Sequence, residues 1–279
     1  MEGVVVLAVL GASLLHAAWH ALVKSSGDRL VALAGMNVVS GAAALCLLPA
    51  VSMPPPLAFA VIAGSVLLHA AYKIGLAHVY ARIDLGSAYP VIRGVTPLAA
   101  AALAFVLLRE QPGAQQLASI GLVSLGILML VLEPGKRIGG SVFAVAVLAG
   151  VSVAAYSVID AYGVRLTQDW LAFTAWLVAC DSGIFVAYTL FRRGASATME
   201  WRRGWRRTLL SGALGLVSFA VFMWALGRAQ VAAVTALRET SVVLSALIGT
   251  LVLRERASPV RYGAALAVAV GVAGLALHR

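Results

Sequence analysis

The sequence predicts an all-α integral membrane protein whose ten transmembrane helices form two inverted five-helix repeats. Three observations predict this fold class: the composition, the length of the apolar runs, and short motifs that recur in both halves of the chain. Of the 279 residues, 62% are hydrophobic and 11% are charged, and the mean hydropathy is +0.96, whereas soluble chains are about 45–50% apolar and about 25% charged. This composition excludes a disordered chain, a nucleic-acid-binding module and most soluble enzymes.

Ten apolar windows follow one another along the chain, each close to the ~20 residues that cross ~30 Å of hydrocarbon. In order, they cover residues 3–23, 31–51, 57–78, 86–108, 115–132, 141–161, 170–190, 209–227, 231–252 and 259–277. Polar, proline or glycine clusters such as Pro54-Pro55-Pro56 separate them. A transmembrane barrel would show short alternating strands instead. The longest connection, at about 192–208, is too short for a folded domain, so the function must reside within the spans.

Short motifs repeat between the two halves of the chain. Within Val106-Leu107-Leu108-Arg109-Glu110, the last three residues recur as Leu253-Arg254-Glu255 at an offset of 145, and the same offset places Arg93 on Arg238. We therefore predict two domains, residues 1–134 and 140–279. Because five spans is an odd number, the second repeat must enter the membrane from the opposite side. Secondary transporters with this organisation bind their substrate at the midplane between the repeats.

The net charge of +10 arises mainly at the ends of the apolar runs, which favours anionic lipid headgroups over nucleic acid as the partner. Fourteen basic residues fall on one side of the predicted membrane and four on the other. The larger group comprises Lys24, Arg29, Arg82, Lys136, Arg137, Arg192, Arg193, Arg202, Arg203, Arg206, Arg207, Arg254, Arg256 and Arg261. The positive-inside rule then predicts an inner-membrane protein with both termini periplasmic. The Trp- and Arg-rich stretch 201–207 is interpreted as an interfacial anchor, and an RNA-binding patch is the alternative.

Six ionisable residues lie within the apolar spans, where a charge costs roughly 2.5–3.5 kcal/mol on insertion scales. They are Lys73, Arg93, Asp160, Asp181, Arg238 and Glu239. We expect them to point inward, toward one another or toward water.

Arg93 and Arg238 are the most informative of the six, since each lies about 10 Å into its span. A guanidinium binds a carboxylate or phosphate through paired hydrogen bonds, which suggests a central site for a substrate with an anionic group. The alternatives are internal pairing, of Arg238 with Glu239 or another acid and of Arg93 with Asp160 or Asp181, and snorkelling to the headgroups.

Further polar and aromatic residues accompany these charges. Tyr89 precedes Arg93 by one helical turn, and Pro90 and Pro97 are expected to kink the same span. In the first span His16, Trp19 and His20 share one face, which fits a cavity wall, interhelical hydrogen bonds or a proton relay. A metal or haem site is the remaining interpretation, but two histidines do not make a zinc site without further ligands. Other candidates are Tyr156, one turn before Asp160, together with Tyr72 and Trp224.

An enzyme is not expected. Ser13 and His16 share one helix, but no nucleophile motif surrounds either residue, and a phosphate-binding glycine loop is absent. We predict no cofactor and no metal.

The chain resembles the drug/metabolite transporter superfamily of the EamA type. The resemblance lies in His16 to Lys24 of span 1, Tyr89 to Gly94 of span 4, Tyr156 to Asp160 of span 6 and Leu237 to Val242 of span 9. It implies ten spans in two repeats and export of amino acids, other metabolites or drugs through a cavity walled by spans 3, 4, 8 and 9. It also implies that spans 1 and 6 move as gates. One departure is the Pro-rich, uncharged loop between spans 2 and 3, where many relatives carry basic residues.

From the residues and the resemblance together, we predict a secondary transporter that exports aromatic or neutral amino acids, or related metabolites, by alternating access. The alternatives are an exporter of drugs or organic cations and a non-transporting membrane subunit. The partners expected are a small-molecule substrate and the lipid bilayer, with no nucleic acid, in a monomer or homodimer. The predicted substrate-binding residues are Trp19, His20, Tyr72, Lys73, Tyr89, Arg93, Tyr156, Trp224, Arg238 and Glu239. The predicted proton-coupling candidates are Asp160, Asp181 and Glu239.

Overall fold

The computed structural model describes residues 1–24, 26–80, 85–133, 139–252 and 258–277, with the backbone alone at 24, 74–80, 85–87 and 245–252. Within these ranges the protein is all-α, with eleven α-helices and no strand, which confirms the predicted fold class. The helices are α1 (Gly3–Lys24), α2 (Arg29–Leu47), α3 (Pro56–Tyr80), α4 (Leu85–Leu108), α5 (Ala114–Met129), α6 (Gly140–Thr167), α7 (Trp170–Arg193), α8 (Ala195–Arg203), α9 (Trp205–Leu226), α10 (Val231–Val252) and α11 (Pro259–Leu277).

Ten of these helices coincide with the ten predicted spans, and α8 is additional. Counting only described residues, nine helices are long and apolar enough to cross a membrane. The tenth, α10, is 22 residues long. Large apolar side chains such as Leu7, Leu148 and Phe191 are exposed on the outer surface, which is the surface that a bilayer would cover.

The helix α6 runs six residues beyond its predicted apolar window, to Thr167. Hydropathy marks the part of a helix inside the membrane and not the end of the helix itself. In the extra turns, Arg165 donates hydrogen bonds to the carbonyl oxygens of Leu226 at 3.1 Å and Ala229 at 2.9 Å. The extension therefore holds the turn between α9 and α10.

The short helix α8 occupies the connection that the sequence analysis treated as a loop. Gly194, at φ +57°, ends α7 in the left-handed region, which glycine adopts without a steric penalty. In α8 only Ala197 is fully buried. The indole nitrogen of Trp201 donates to the carbonyl of Val31 at 2.7 Å, which fixes α8 against the start of α2.

The helices of the first half pack mainly on those of the second half. The helix α1 packs on α9 and α10, and α6 packs on α3 and α4. Three further interfaces join α2 to α7, α4 to α10 and α5 to α11. The helices α1–α5 can be matched in order with α6, α7, α9, α10 and α11. Exchanging the two halves then turns the contacts of α1 into those of α6, and it leaves the other three interfaces unchanged.

Small residues set the closest approaches, as is common between membrane helices. A Cβ atom on Gly150 of α6 would lie 2.6 Å from the carbonyl oxygen of Ile92 on α4. A Cβ on Gly271 of α11 would lie 2.8 Å from the carbonyl oxygen of Ser119 on α5. The backbones of these helix pairs are therefore nearly in contact.

Several predictions fall outside the described residues. These are five basic residues of the larger group, one of the smaller group of four, and the Arg254-Glu255 copy of the repeated motif. The five are Arg82, Lys136, Arg137, Arg254 and Arg256, and the one is Arg279. The domain limits at 134 and 140 stay a prediction.

Candidate functional site

The first component of the site is the polar face of α1. His16 and His20 lie one turn apart, and their Nε2 atoms are 3.1 Å apart. The rings of Trp19 and His20 are stacked at a centroid distance of 3.8 Å. The spacing seen in the sequence thus produces one continuous polar and aromatic surface.

A buried ion pair between α4 and α10 faces this surface. The Nη1 atom of Arg93 donates to both carboxylate oxygens of Glu239, at 3.1 and 3.2 Å. The Arg93 side chain is 4% exposed and that of Glu239 is 0% exposed. This arrangement differs from the internal pairs considered in the sequence analysis, which joined Glu239 to Arg238. Neighbouring residues on a helix point about 100° apart and do not face each other, so Glu239 reaches across to the opposite helix instead.

Arg93 also connects the ion pair to the histidines. Its Nη2 atom lies 3.4 Å from Nε2 of His16. Since a guanidinium has no acceptor, His16 accepts through Nε2, and the hydrogen between the two imidazoles belongs to His20. The Nε atom of Arg93 is buried without a hydrogen-bond partner in the described part of the protein. The site therefore keeps one donor available.

Arg238 and Tyr89 complete this part of the site. The guanidinium of Arg238 lies 4.2 Å from the ring centroid of Phe222 on α9, and the residue is half-buried. No carboxylate in the described ranges lies within ion-pair distance of it. The ring of Tyr89 lies 5.0 Å from the Arg93 guanidinium and 5.7 Å from the ring of His20. Cation–π contacts thus stabilise both arginines.

A second polar group joins α3 to α6 around Asp160, which is 0% exposed. The Ser65 hydroxyl donates to one carboxylate oxygen, and His69 Nε2 lies 3.2 Å from the other. The His69 ring stacks on Tyr156 at 4.0 Å. Tyr72 lies 5.9 Å from Tyr156, and both tyrosines belong to the same packed cluster as Ile92 of α4, the residue before Arg93. The two polar groups are therefore neighbours in one interior region.

Sequence reasoning missed Ser65 and His69. They stand at positions i and i+4 of the third span, and Tyr72 follows at i+7, so the three share one helical face. Three polar groups on one face of an otherwise apolar span is the signal that could have identified them.

Lys73 and Asp181 form a third, separate cluster between α2, α3 and α7. The Lys73 Nζ atom lies 2.5 Å from Asp181 Oδ2 and donates to Asn37 Oδ1 at 3.1 Å. It also lies 5.0 Å from the ring centroid of Phe185. Tyr72 and Lys73 are consecutive residues, so they point to different neighbours. The structure therefore places Tyr72, but not Lys73, beside the other predicted binding residues.

The cation–π contact of Trp224 is with Arg228, which is neither of the two central arginines. Trp224 stands in the last turn of α9, where the Arg228 guanidinium lies 4.5 Å from its ring. This position at a helix end is typical of a tryptophan at the membrane interface. In the described residues, no three His, Cys, Asp or Glu side chains are grouped closely enough to hold a metal ion.

Comparisons with known proteins agree with this architecture. Residues 140–277 match the model of the EamA-like transporter family. A protein of known crystal structure is similar over 97% of this chain and 94% of its own, with a TM-score of 0.72 and 16% sequence identity, which shows a shared fold. No curated protein matches the sequence significantly.

Proposed function

Since this chain belongs to the EamA-like transporter family by its second half, residues 140–277, we propose that it exports small zwitterionic metabolites by alternating access. The protein is a multi-pass membrane transporter. Our proposal adds the substrate, an aromatic or neutral amino acid, and the route, from the cytoplasm across the inner membrane.

The observation that carries the proposal is the buried pair of Arg93 and Glu239, 3.1 Å apart. Separating such a pair leaves two uncompensated charges in the interior, which costs several kcal/mol. A zwitterion removes this penalty because its carboxylate can bind the guanidinium while its ammonium group binds Glu239. A purely cationic or purely anionic cargo would leave one member of the pair without a partner.

Arg238 supports the choice of a carboxylate-bearing substrate. Its guanidinium lies over Phe222 and has no carboxylate partner in the described structure, so it can bind an incoming carboxylate first. The aromatic rings of Trp19, Tyr89 and Phe222 surround the charged groups. They suit an aromatic or apolar side chain, and His20 presents a polar tip beside them.

Transport of organic cations is the alternative function, in which the intramembrane acids would bind the positively charged cargo. All three intramembrane acids already have partners: Glu239 has Arg93, Asp160 has Ser65 and His69, and Asp181 has Lys73. A cation would have to displace a positively charged or hydrogen-bonded group to reach any of them. This favours the zwitterion.

The decisive experiment measures flux with purified protein in liposomes, using labelled phenylalanine and labelled tetraphenylphosphonium. We expect phenylalanine exchange in the wild type and its loss, by at least about tenfold, in Arg238→Ala, since one charge-assisted contact contributes about 1.5–3 kcal/mol. Arg228→Ala is the matched control, because Arg228 also lies over an aromatic ring of α9 but stands at the helix end. Normal exchange by Arg238→Ala, or flux of the cation alone, would overturn the assignment. No flux of either probe would favour a non-transporting subunit.

We further propose Asp160 as the proton-coupling residue. It is fully buried, and its two hydrogen-bond donors, Ser65 and His69, come from a helix of the other half of the chain. Protonation would remove the negative charge that these donors stabilise and weaken the contact of α3 with α6. Asp181 and Glu239 are less suited because each is paired with a permanent cation.

A further inference from the structure

A cavity of about 300 Å³ opens at one end of the helix bundle, away from the central polar residues. It lies where α1 ends, α2 begins, and α8 leads into α9. Its volume is at the lower limit of ligand pockets in proteins. Its wall includes Val31, Glu200, Trp201, Arg203, Arg207 and Thr208.

The wall of this cavity is held by specific contacts. Trp201 donates to the Val31 carbonyl at 2.7 Å. Asp28 caps α2 by accepting from the backbone of Leu30 at 3.0 Å, and it also binds Arg193 at 2.8 Å. A Cβ atom on Gly35 would lie 2.9 Å from atoms of Trp201 and Thr208. The glycine thus allows the indole to pack directly against α2, so the cavity is part of the fold.

The charge of the wall favours an anion. The wall includes two arginines, Arg203 and Arg207, and one acid, Glu200, so its formal net charge is +1. Both arginines are exposed at the mouth. Arginine is the side chain best suited to bind phosphate oxygens through paired hydrogen bonds.

The position of the cavity favours a lipid over a free anion. The apolar helices α7 and α9 meet the two ends of α8, which places α8 at the membrane surface. Next to the arginines, apolar side chains are at least half exposed: Met199 52%, Trp205 57%, Leu209 50% and Leu210 51%. These side chains are close in sequence to the two arginines, and they offer an exposed apolar surface for acyl chains.

We infer that this cavity binds the phosphate headgroup of an anionic phospholipid, with Arg203 and Arg207 on the phosphate and the acyl chains along the exposed face of α9. The inference does not depend on the transported substrate. A bound lipid would occupy the end of α1, the same helix that carries His16 and His20.

The test is thermal unfolding of the purified full chain in a neutral detergent, with three probes. The probes are dioctanoyl phosphatidylglycerol, dioctanoyl phosphatidylcholine and inorganic phosphate. We expect phosphatidylglycerol to raise the unfolding temperature by about 5 °C at a hundredfold excess over its Kd. The double variant Arg203→Gln/Arg207→Gln should lose this shift, and Arg192→Gln/Arg202→Gln, which changes two nearby arginines outside the cavity, should keep it.

Three results would overturn the inference: an undiminished shift in the Arg203→Gln/Arg207→Gln variant, an equal shift with phosphatidylcholine, or an equal shift with inorganic phosphate. The last would mark a site for free phosphate. Because Arg203 is exposed, we expect the single variant Arg203→Gln to retain the fold, so it allows a second, independent measurement of lipid binding. Retention of phosphatidylglycerol, measured by native mass spectrometry, should fall at least about tenfold in this variant.

Discussion

Arg93, Glu239 and His16 come from three different helices and meet in the interior, two of them at hydrogen-bond distance from Arg93. The sequence predicts that both arginines lie well inside their spans, because depth follows from position along a span. It did not identify the partner of Glu239, because the partner depends on the rotation of α10 relative to α4. No local pattern encodes that rotation. The partner of Glu239 could therefore be identified only from the structure, whereas the ionisable residues themselves could be identified from the sequence.

Removing one member of this ion pair should destabilise the protein strongly. We expect Glu239→Ala to reduce the unfolding free energy by about 3–5 kcal/mol, since it leaves Arg93 charged and buried. The double variant Arg93→Ala/Glu239→Ala should recover much of that loss while abolishing amino-acid exchange. Thermal unfolding and exchange assays on the same preparations test both statements. Equal stability of the wild type and Glu239→Ala would show that the pair has no structural role.

Asp160 should determine the response to a pH gradient. We expect Asp160→Asn to retain exchange of labelled phenylalanine but to lose stimulation by a pH gradient, because asparagine keeps the shape and cannot take up a proton. Asp181→Asn serves as the control and should respond like the wild type. Gradient-driven flux through Asp160→Asn would assign the coupling to another residue.

Asp169, outside the membrane, should make stability depend on pH. It caps α7, accepting from Ala172 N at 3.0 Å and Leu171 N at 3.1 Å. These bonds, that from Ala172 above all, lower its pKa below the ordinary value, and the Ser52 hydroxyl acts in the same direction. A lowered pKa in the folded state gives stability that is complete above the pKa of the unfolded chain. This stability is lost as the pH falls through the folded value.

We therefore expect Asp169→Ala to reduce stability by about 1 kcal/mol at pH 7, and the difference from the wild type to become smaller as the pH falls through the lowered pKa of Asp169. Asp169→Asn should keep most of the capping over the same pH range. Unfolding temperatures of the three proteins at each pH provide the measurement. A difference that persists unchanged at low pH would show that the carboxylate charge does not matter.

At the scale of the helices, hydropathy located the ten spans because each must bury about 20 apolar residues in lipid. It did not locate α8, whose nine residues have a mainly polar composition and depend on Trp201 and Ala197 for packing. It also ended α6 six residues too early, since Arg165 lies in the extra turns. Helical structure beyond the hydrocarbon follows from tertiary contacts, which the composition of a window does not record.

Close packing of α6 on α4 gives a sharp prediction for Gly150. We expect Gly150→Ala to lower stability by about 1–3 kcal/mol, because the new methyl group would overlap the Ile92 carbonyl and push the helices apart. Gly183→Ala on α7 is the matched control, since no atom lies within 4 Å of the position that its methyl group would take. It should be neutral or slightly stabilising through helix propensity. Thermal unfolding of both variants distinguishes packing from propensity, and equal behaviour would contradict the packing argument.

At the scale of the whole molecule, the family model matches only residues 140–277, whereas the likeness in fold covers 97% of the chain. The spacing of the repeated motifs suggested that the two halves are copies of each other. The contacts between helices keep the same pattern when the two halves are exchanged. The predicted orientation follows from the distribution of basic residues between the two sides of the membrane.

Cysteine labelling tests the orientation directly. In a background of Cys46→Ala/Cys180→Ala, single cysteines replace Gln111, between α4 and α5, and Ser196, at the start of α8, both of which are exposed. We expect a membrane-impermeant maleimide to label Gln111→Cys in intact cells and Ser196→Cys only after permeabilisation. The reverse pattern would place both termini in the cytoplasm.

The way α1 and α6 pack has a consequence for how the protein is assembled. Each half of the chain places its first helix against the other half: α1 lies on α9 and α10, and α6 lies on α3 and α4. The two halves are therefore interlocked. We therefore expect that neither half, expressed alone, covers its own polar interior, and that two separate fragments cut between residues 133 and 139 and produced together complement each other. The first fragment would then reach its final packing only after the second fragment has been synthesised.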